Sequence, residues 1–176
     1  MLAFAQGDAG AFDRLYARHK GTVFRFISRS LPTRADAEEI FQEVWMKAIE
    51  ARSRYEPRAK FTTWIYAIAH NRLVDLWRKK GIALVPMDGG DDERPAIDPP
   101  GDPANEPYAQ VAGREAMARF AAALEALSPA QREAFLLKEE AELSIADIAQ
   151  ATGADVEAVK SRVRYATAKL REAIDG

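Results

Sequence analysis

The chain has 176 residues, 48% of them hydrophobic and 30% charged, with a formal net charge of −2 and no cysteine. That balance suits one or two small globular domains with real cores. It excludes disulfides and thiolate metal sites, and no run approaches the roughly 18 apolar residues of a membrane helix. The start, MLAFAQGDAGAF, has neither a basic leader nor a long apolar core, so a cytoplasmic protein without membrane insertion is expected.

The net charge hides three unequal segments. Residues 1–80 carry 15 Lys/Arg against 9 Asp/Glu, a net +6. Residues 81–107 carry 1 against 7, a net −6, and residues 108–176 carry 9 against 11, a net −2. A basic half joined to an acidic connector says more about partners than the total does.

In chain order, Asp8 to Ser30 places Phe12, Leu15, Tyr16, Val23, Phe26 and Ile27 largely at three- and four-residue spacing, which predicts a helix. Pro32 breaks it. A second helix is expected from about Thr33–Asp36 to Arg54, with Ile40, Phe41, Val44, Trp45, Ala48 and Ile49 apolar. Asp36, Glu38 and Glu39 crowd its first turns, where acids favour the helix dipole. The loop YEPRAK follows, and then FTTWIYAIAHNRLVDLWRKK, Phe61 to Lys80, reads as one helix. At about 100° per residue, Phe61, Ile65, Ile68, Ala69 and Leu76 fall on one side and are expected in the core. Trp64 lies at one margin; Tyr66, Leu73 and Trp77 lie towards the other. His70 and Arg78 point away. Arg72 and Asp75 fall near the stripe and are expected to meet polar partners.

The connector GIALVPMDGGDDERPAIDPPGDPANEP holds six of the nine prolines and has no helical or strand period. Proline excludes regular hydrogen bonding and like charges extend a chain, so a flexible tether is expected from Gly81 to Pro107. Its DGGDDE piece lacks the ligand spacing of an EF-hand calcium loop. Beyond it, Tyr108 to Leu127 is alanine-rich and helical. Ser128-Pro129-Ala130-Gln131 starts another helix, with Ser as N-cap, Pro at the first position and Gln as capping-box partner, ending near Glu142. Ser144 caps a short helix to Ala151, Thr152-Gly153-Ala154 turns, and Asp155 caps a last helix to about Ile174. The expected fold is all-α: two small helical domains, 1–80 and 108–176, joined by a flexible acidic Pro-rich linker, 81–107.

The segment LSIADIAQATGADVEAVKSRVRYATAKLRE has the marks of a DNA-reading helix-turn-helix. Ala149 is small where two helices cross. Gly153, four residues on, can take the left-handed turn. Val159, six further, points back into the angle between the helices. Val156, Val159, Val163 and Leu170 form the expected buried stripe. The other face shows Glu157, Lys160, Ser161, Arg164 and Tyr165, with Arg162 at the edge. Cations there bind phosphates, and Arg can grip guanine bidentately. A solvated helix face carries similar cations; the Ala–Gly–Val spacing is what favours DNA.

Residues 52–80 hold eight Lys/Arg against Glu56 and Asp75. Two readings stand from composition. The cations at Arg78-Lys79-Lys80 complement a helix C-terminus. Alternatively, cations interleaved with aromatics make a surface for single-stranded nucleic acid, charge tracking the backbone while rings stack on unpaired bases.

Together these features resemble the extracytoplasmic-function (ECF) group of sigma factors of bacterial RNA polymerase. The carrying residues are GDAGAFDRLYARH, DAEEIFQEVWMKA and FTTWIYAIAHNRLVDLWRK in the first half. In the second they are LSPAQREAFLLKEEAELSIADIAQATGADVEAVKSRVRYATAKLR. The resemblance covers nearly the whole chain. It implies a region 2 domain that binds core polymerase and the minus-ten element, and a region 4 domain that reads the minus-thirty-five element. The second helix would dock on the clamp helices of the polymerase's largest subunit through Glu39, Gln42 and Glu43. Loop Tyr55–Lys60 and the start of the next helix would hold the melted non-template strand, with Arg58, Lys60, Phe61, Trp64 and Asn71 as candidate contacts for a flipped base. The last helix would read duplex DNA through Glu157, Lys160, Ser161, Arg162, Arg164 and Tyr165. Core RNA polymerase (clamp helices and flap region), promoter DNA and an anti-sigma factor are the implied partners. The family's reading helix usually repeats Arg in its middle. Here Tyr165-Ala166-Thr167 stands in that place, so no promoter sequence carries over.

One rival reading is a helix-turn-helix regulator that acts without being a polymerase subunit; it gives no use to the FQE face or the aromatic helix. An enzyme is the other. His19 and His70 are the two histidines, far apart in sequence, and no P-loop, GxSxG or HExxH is present. Neither catalysis nor a cofactor or metal is expected.

Overall fold

The computed structural model describes residues 1–82 and 107–175. Among them every regular element is helical: α1 Leu2–Ala5, α2 Ala9–Ser30, α3 Arg34–Glu50, a 3-10 turn Ala51–Arg54, α4 Phe61–Lys79, α5 Pro107–Ala126, α6 Pro129–Glu139, α7 Ile145–Thr152 and α8 Val156–Asp175. The expected tether falls almost wholly outside the described residues. Helices α1–α4 form one domain and α5–α8 the other.

Local chemistry starts and stops these helices. The Asp8 carboxylate accepts from Ala11 N at 3.0 Å, capping α2. Thr33 Oγ1 accepts from Asp36 N at 3.2 Å, capping α3. Both α6 and α7 open with full capping boxes, Ser128 with Gln131 and Ser144 with Asp147. Gly153 ends α7 at φ +66°, in the left-handed region. The last carbonyls of α8 are satisfied from outside the helix: Arg119 on α5 donates to Ala173 O at 3.0 Å and to Ile174 O at 3.2 Å.

In the first domain α3 packs on both α2 and α4, while in the second α5, α6 and α7 all pack on α8. The domains also meet each other, α7 against α4 and α6 against α2. The buried core is accordingly one cluster, running from Val23, Phe26 and Ile27 through Ile65, Leu73 and Trp77 to Leu136, Leu137 and Ile148.

Several expectations are corrected. The last turn of the second helix tightens into the 3-10 turn, and α6 ends at Glu139 rather than near Glu142, which takes a φ of +54°. Helix α1 was not anticipated. Along α4 the buried residues are Thr63, Ile65, Tyr66, Ala69, Leu73 and Trp77, whereas Phe61, Ile68 and Leu76 are half-buried. The stripe is wider and rotated because α4 is covered twice, by α3 and α2 on one side and by α7 on another. His70 does not point away into solvent: its Nδ1 lies 2.8 Å from Glu133 Oε1 on α6. In α8, Val156 is 40% exposed at the helix start and Ala166 takes the buried position between Val159 and Leu170.

Candidate nucleic-acid interface

The first candidate surface forms where the loop after the 3-10 turn enters α4. Four rings touch in series. Tyr55 meets Trp64 edge-on with centroids 4.9 Å apart, Trp64 meets Phe61 at 5.8 Å, and Phe61 meets His19 of α2 at 5.1 Å. All four residues are half-buried, so each ring keeps an open side. Burial and the neighbouring Arg18 push the His19 pKa down, so its imidazole is neutral near pH 7 and presents an uncharged face. Tyr55 and His19 extend the aromatic group beyond the residues singled out in the sequence. Tyr55 belongs to the predicted loop, but a ring contributed from α2, over forty residues upstream, has no local signal.

Arg58 and Lys60 flank these rings, both exposed. Arg58 Nε lies 2.5 Å from Glu56 Oε2, a solvated pair that gives way easily to another anion. Lys60 is the N-cap residue of α4, and its Nζ donates to Asp147 Oδ2 of α7 at 3.2 Å. Asn71 is exposed and two turns past Trp64, about 10 Å along the helix on nearly the same face. The structure therefore gathers Arg58, Lys60, Phe61 and Trp64 at one end of α4 and leaves Asn71 outside that cluster.

The second surface is the outer face of α8. Glu157, Lys160, Ser161, Arg164 and Tyr165 are exposed along it, and Arg162 is half-buried at its edge. Lys160 Nζ donates to Glu157 Oε1 at 2.7 Å. Asp155 accepts from Glu157 N at 2.8 Å and fixes the start of the helix. Beneath, Val159 is fully buried and Ala149 nearly so, as the helix-turn-helix spacing requires.

The third surface lies on α3. Glu39 and Gln42 are exposed, and Glu43 is half-buried, 3.9 Å from Arg72 Nη1 of α4. Arg72 also pairs with Asp75, so both polar residues near the α4 stripe do have partners. Met46, one turn on, is 59% exposed and adds apolar area to this otherwise acidic face. No helix among the described residues is long and apolar enough to cross a membrane.

Comparison with known proteins covers almost the whole chain. Residues 15–82 match the family model for sigma-70 region 2, and residues 117–170 match that for sigma-70 region 4. The RNA polymerase sigma factor CarQ of Myxococcus xanthus is 30% identical over 172 residues, spanning 98% of this chain and 94% of CarQ. The RNA polymerase sigma factor CnrH of Cupriavidus metallidurans is 30% identical over 175 residues, spanning 97% and 90%. CnrH solved in complex with the cytosolic domain of CnrY matches this fold with a TM-score of 0.67 at 25% identity, over 97% of this chain and 92% of that one. The sigma factor RpoE of Bartonella quintana, solved with the anti-sigma factor NepR, matches with a TM-score of 0.69 at 25% identity, over 94% and 97%.

Proposed function

The chain belongs to the sigma-70 family, in its ECF group, and from that premise we propose that it directs promoter-specific initiation as a subunit of RNA polymerase. The observation that carries this reading is the cluster of Tyr55, Phe61 and Trp64 flanked by Arg58 and Lys60, in the same chain as the cationic outer face of α8.

Each surface has a task that its chemistry fits. The α8 face enters a major groove, its cations on phosphates and its Arg164 on base edges. The α4 end takes melted DNA. Extruding one base from the stack costs a few kcal/mol, which rings offering a stacking face and cations on the adjacent phosphates offset. The α3 face, Glu39 with Gln42 and Glu43, binds the clamp helices of the largest subunit. The residues 1–80 serve core binding and minus-ten capture, 108–176 serve minus-thirty-five reading, and the acidic connector between them spans the gap. The chain contributes no catalytic group. An anti-sigma factor, such as the one solved with RpoE of Bartonella quintana, is the expected regulator.

Run-off transcription with purified core polymerase and candidate promoters tests the reading. Specific transcripts that depend on the added chain are expected. Absence of both core binding and transcripts on every promoter would end it.

A further inference from the structure

The two domains meet along one polar seam on a dry floor. Lys60 Nζ donates to Asp147 Oδ2 at 3.2 Å and Thr63 Oγ1 donates to Asp147 Oδ1 at 3.1 Å, so one carboxylate of α7 is gripped by an ammonium and a hydroxyl of α4. His70 Nδ1 lies 2.8 Å from Glu133 Oε1, and the Arg29 guanidinium pairs with Glu140. Thr63 is 2% exposed and Glu133 4% exposed, although both lie on the outer flank of their own domain's helices. Buried polar groups of this kind require partners, and here each finds its partner in the other domain. Thr63 and His70, seven residues apart, lie about 20° from one another around α4 and mark the face that α7 and α6 cover.

We propose that the free chain closes on itself through this seam, with the Asp147 carboxylate occupying on Lys60 and Thr63 the position that a promoter phosphate takes when DNA is bound. The inference rests on the reading of Lys60 as a minus-ten contact. Closure and capture of the non-template strand are then mutually exclusive. Thr63 becomes a second donor to the DNA backbone, hidden until the domains part. Closure does not hide everything: Glu39 and Gln42 on α3 and the outer face of α8 stay exposed. Core polymerase therefore has a face to engage before the domains separate, and strand capture follows separation. The apparent affinity of the free chain for single-stranded DNA is lowered by the fraction of molecules that are closed. Because both domains belong to one chain, the seam forms without any concentration threshold.

The absence of cysteine makes the test direct. Dyes are attached to Ala35→Cys and Gln150→Cys, both exposed and one in each domain, and energy transfer is read in the full chain. Arg29→Glu sets two acids face to face across the seam. It is expected to lower transfer and to tighten binding of a minus-ten single-stranded oligonucleotide by about threefold or more, the gain being set by the closed fraction. Arg29→Glu with Glu140→Arg restores the pair and is expected to return both readings to the wild-type value, which separates opening from misfolding. Unchanged transfer in Arg29→Glu overturns closure. Lowered transfer with unchanged or weaker oligonucleotide binding overturns the competition. Run-off transcription reads the sigma function independently: activity retained alongside unchanged transfer sinks this inference and leaves that function standing.

Discussion

Asp147 carries two duties that can be separated by titration. The Ser144 hydroxyl, aided by Lys60 and Thr63, holds its pKa down to about 2 from an ordinary 3.8, against the opposing effect of desolvation. The native chain thus binds that proton less readily than the unfolded one. Its contribution is complete above pH 4 and is lost as pH falls towards 2, amounting to about 2 kcal/mol. Unfolding free energies measured across that window should fall by about this much more in the wild type than in Asp147→Asn. The two tryptophans of α4 divide in the same way. Trp77 is 3% exposed, so Trp77→Ala should cost about 3–5 kcal/mol in chemical denaturation. Trp64 is half-buried against Tyr55, and Trp64→Ala should impair promoter opening on duplex templates while leaving core binding intact. Equal loss of both would mean that Trp64 only packs.

At the scale of the element, the helix-turn-helix shows which signals were readable in advance. Ser144 with Asp147, Gly153 and Asp155 delimit α7 and the start of α8 as their residue types dictate. Such caps act within three residues, so a linear sequence contains them in full. Gly153 is where the turn is most exposed to substitution. A Cβ there meets nothing within 4 Å, so Gly153→Ala is strained by its φ of +66° alone. It should cost about 1 kcal/mol, and Gly153→Asn less, since Asn tolerates the left-handed region. Melting temperatures should drop by about 3 °C and by a smaller amount respectively. Helix α4 shows the opposite case. Its period allowed one apolar side to be drawn, but a helix packed on two sides has no single stripe. His70 and Thr63 looked like solvent-facing positions because their partners, Glu133 and Asp147, lie 63 and 84 residues away.

Across the whole molecule, the three surfaces make separable contributions. Gln42→Ala with Glu43→Ala should weaken core-polymerase binding by about tenfold, read by pull-down or anisotropy, with little change in melting temperature because both side chains lie on a solvent-facing side of α3. If binding is unchanged, that face is not the contact. Added salt should act most on the seam's Lys60–Asp147 bond, whose cation side chain is 71% exposed, and least on the dry His70–Glu133 contact.

The sequence by itself determined the helices, their caps, the left-handed glycine and the charge segregation, because each depends on neighbours a few residues apart. It also carried the family resemblance, through blocks such as DAEEIFQE and TWIYAIAHN. Only the tertiary structure decided that the domains share one core, and that Lys60 answers to Asp147 across 87 residues and Arg29 to Glu140 across 111. Cross-domain pairing of single charges leaves no periodic trace, since any exposed acid could have met any exposed base until packing chose among them.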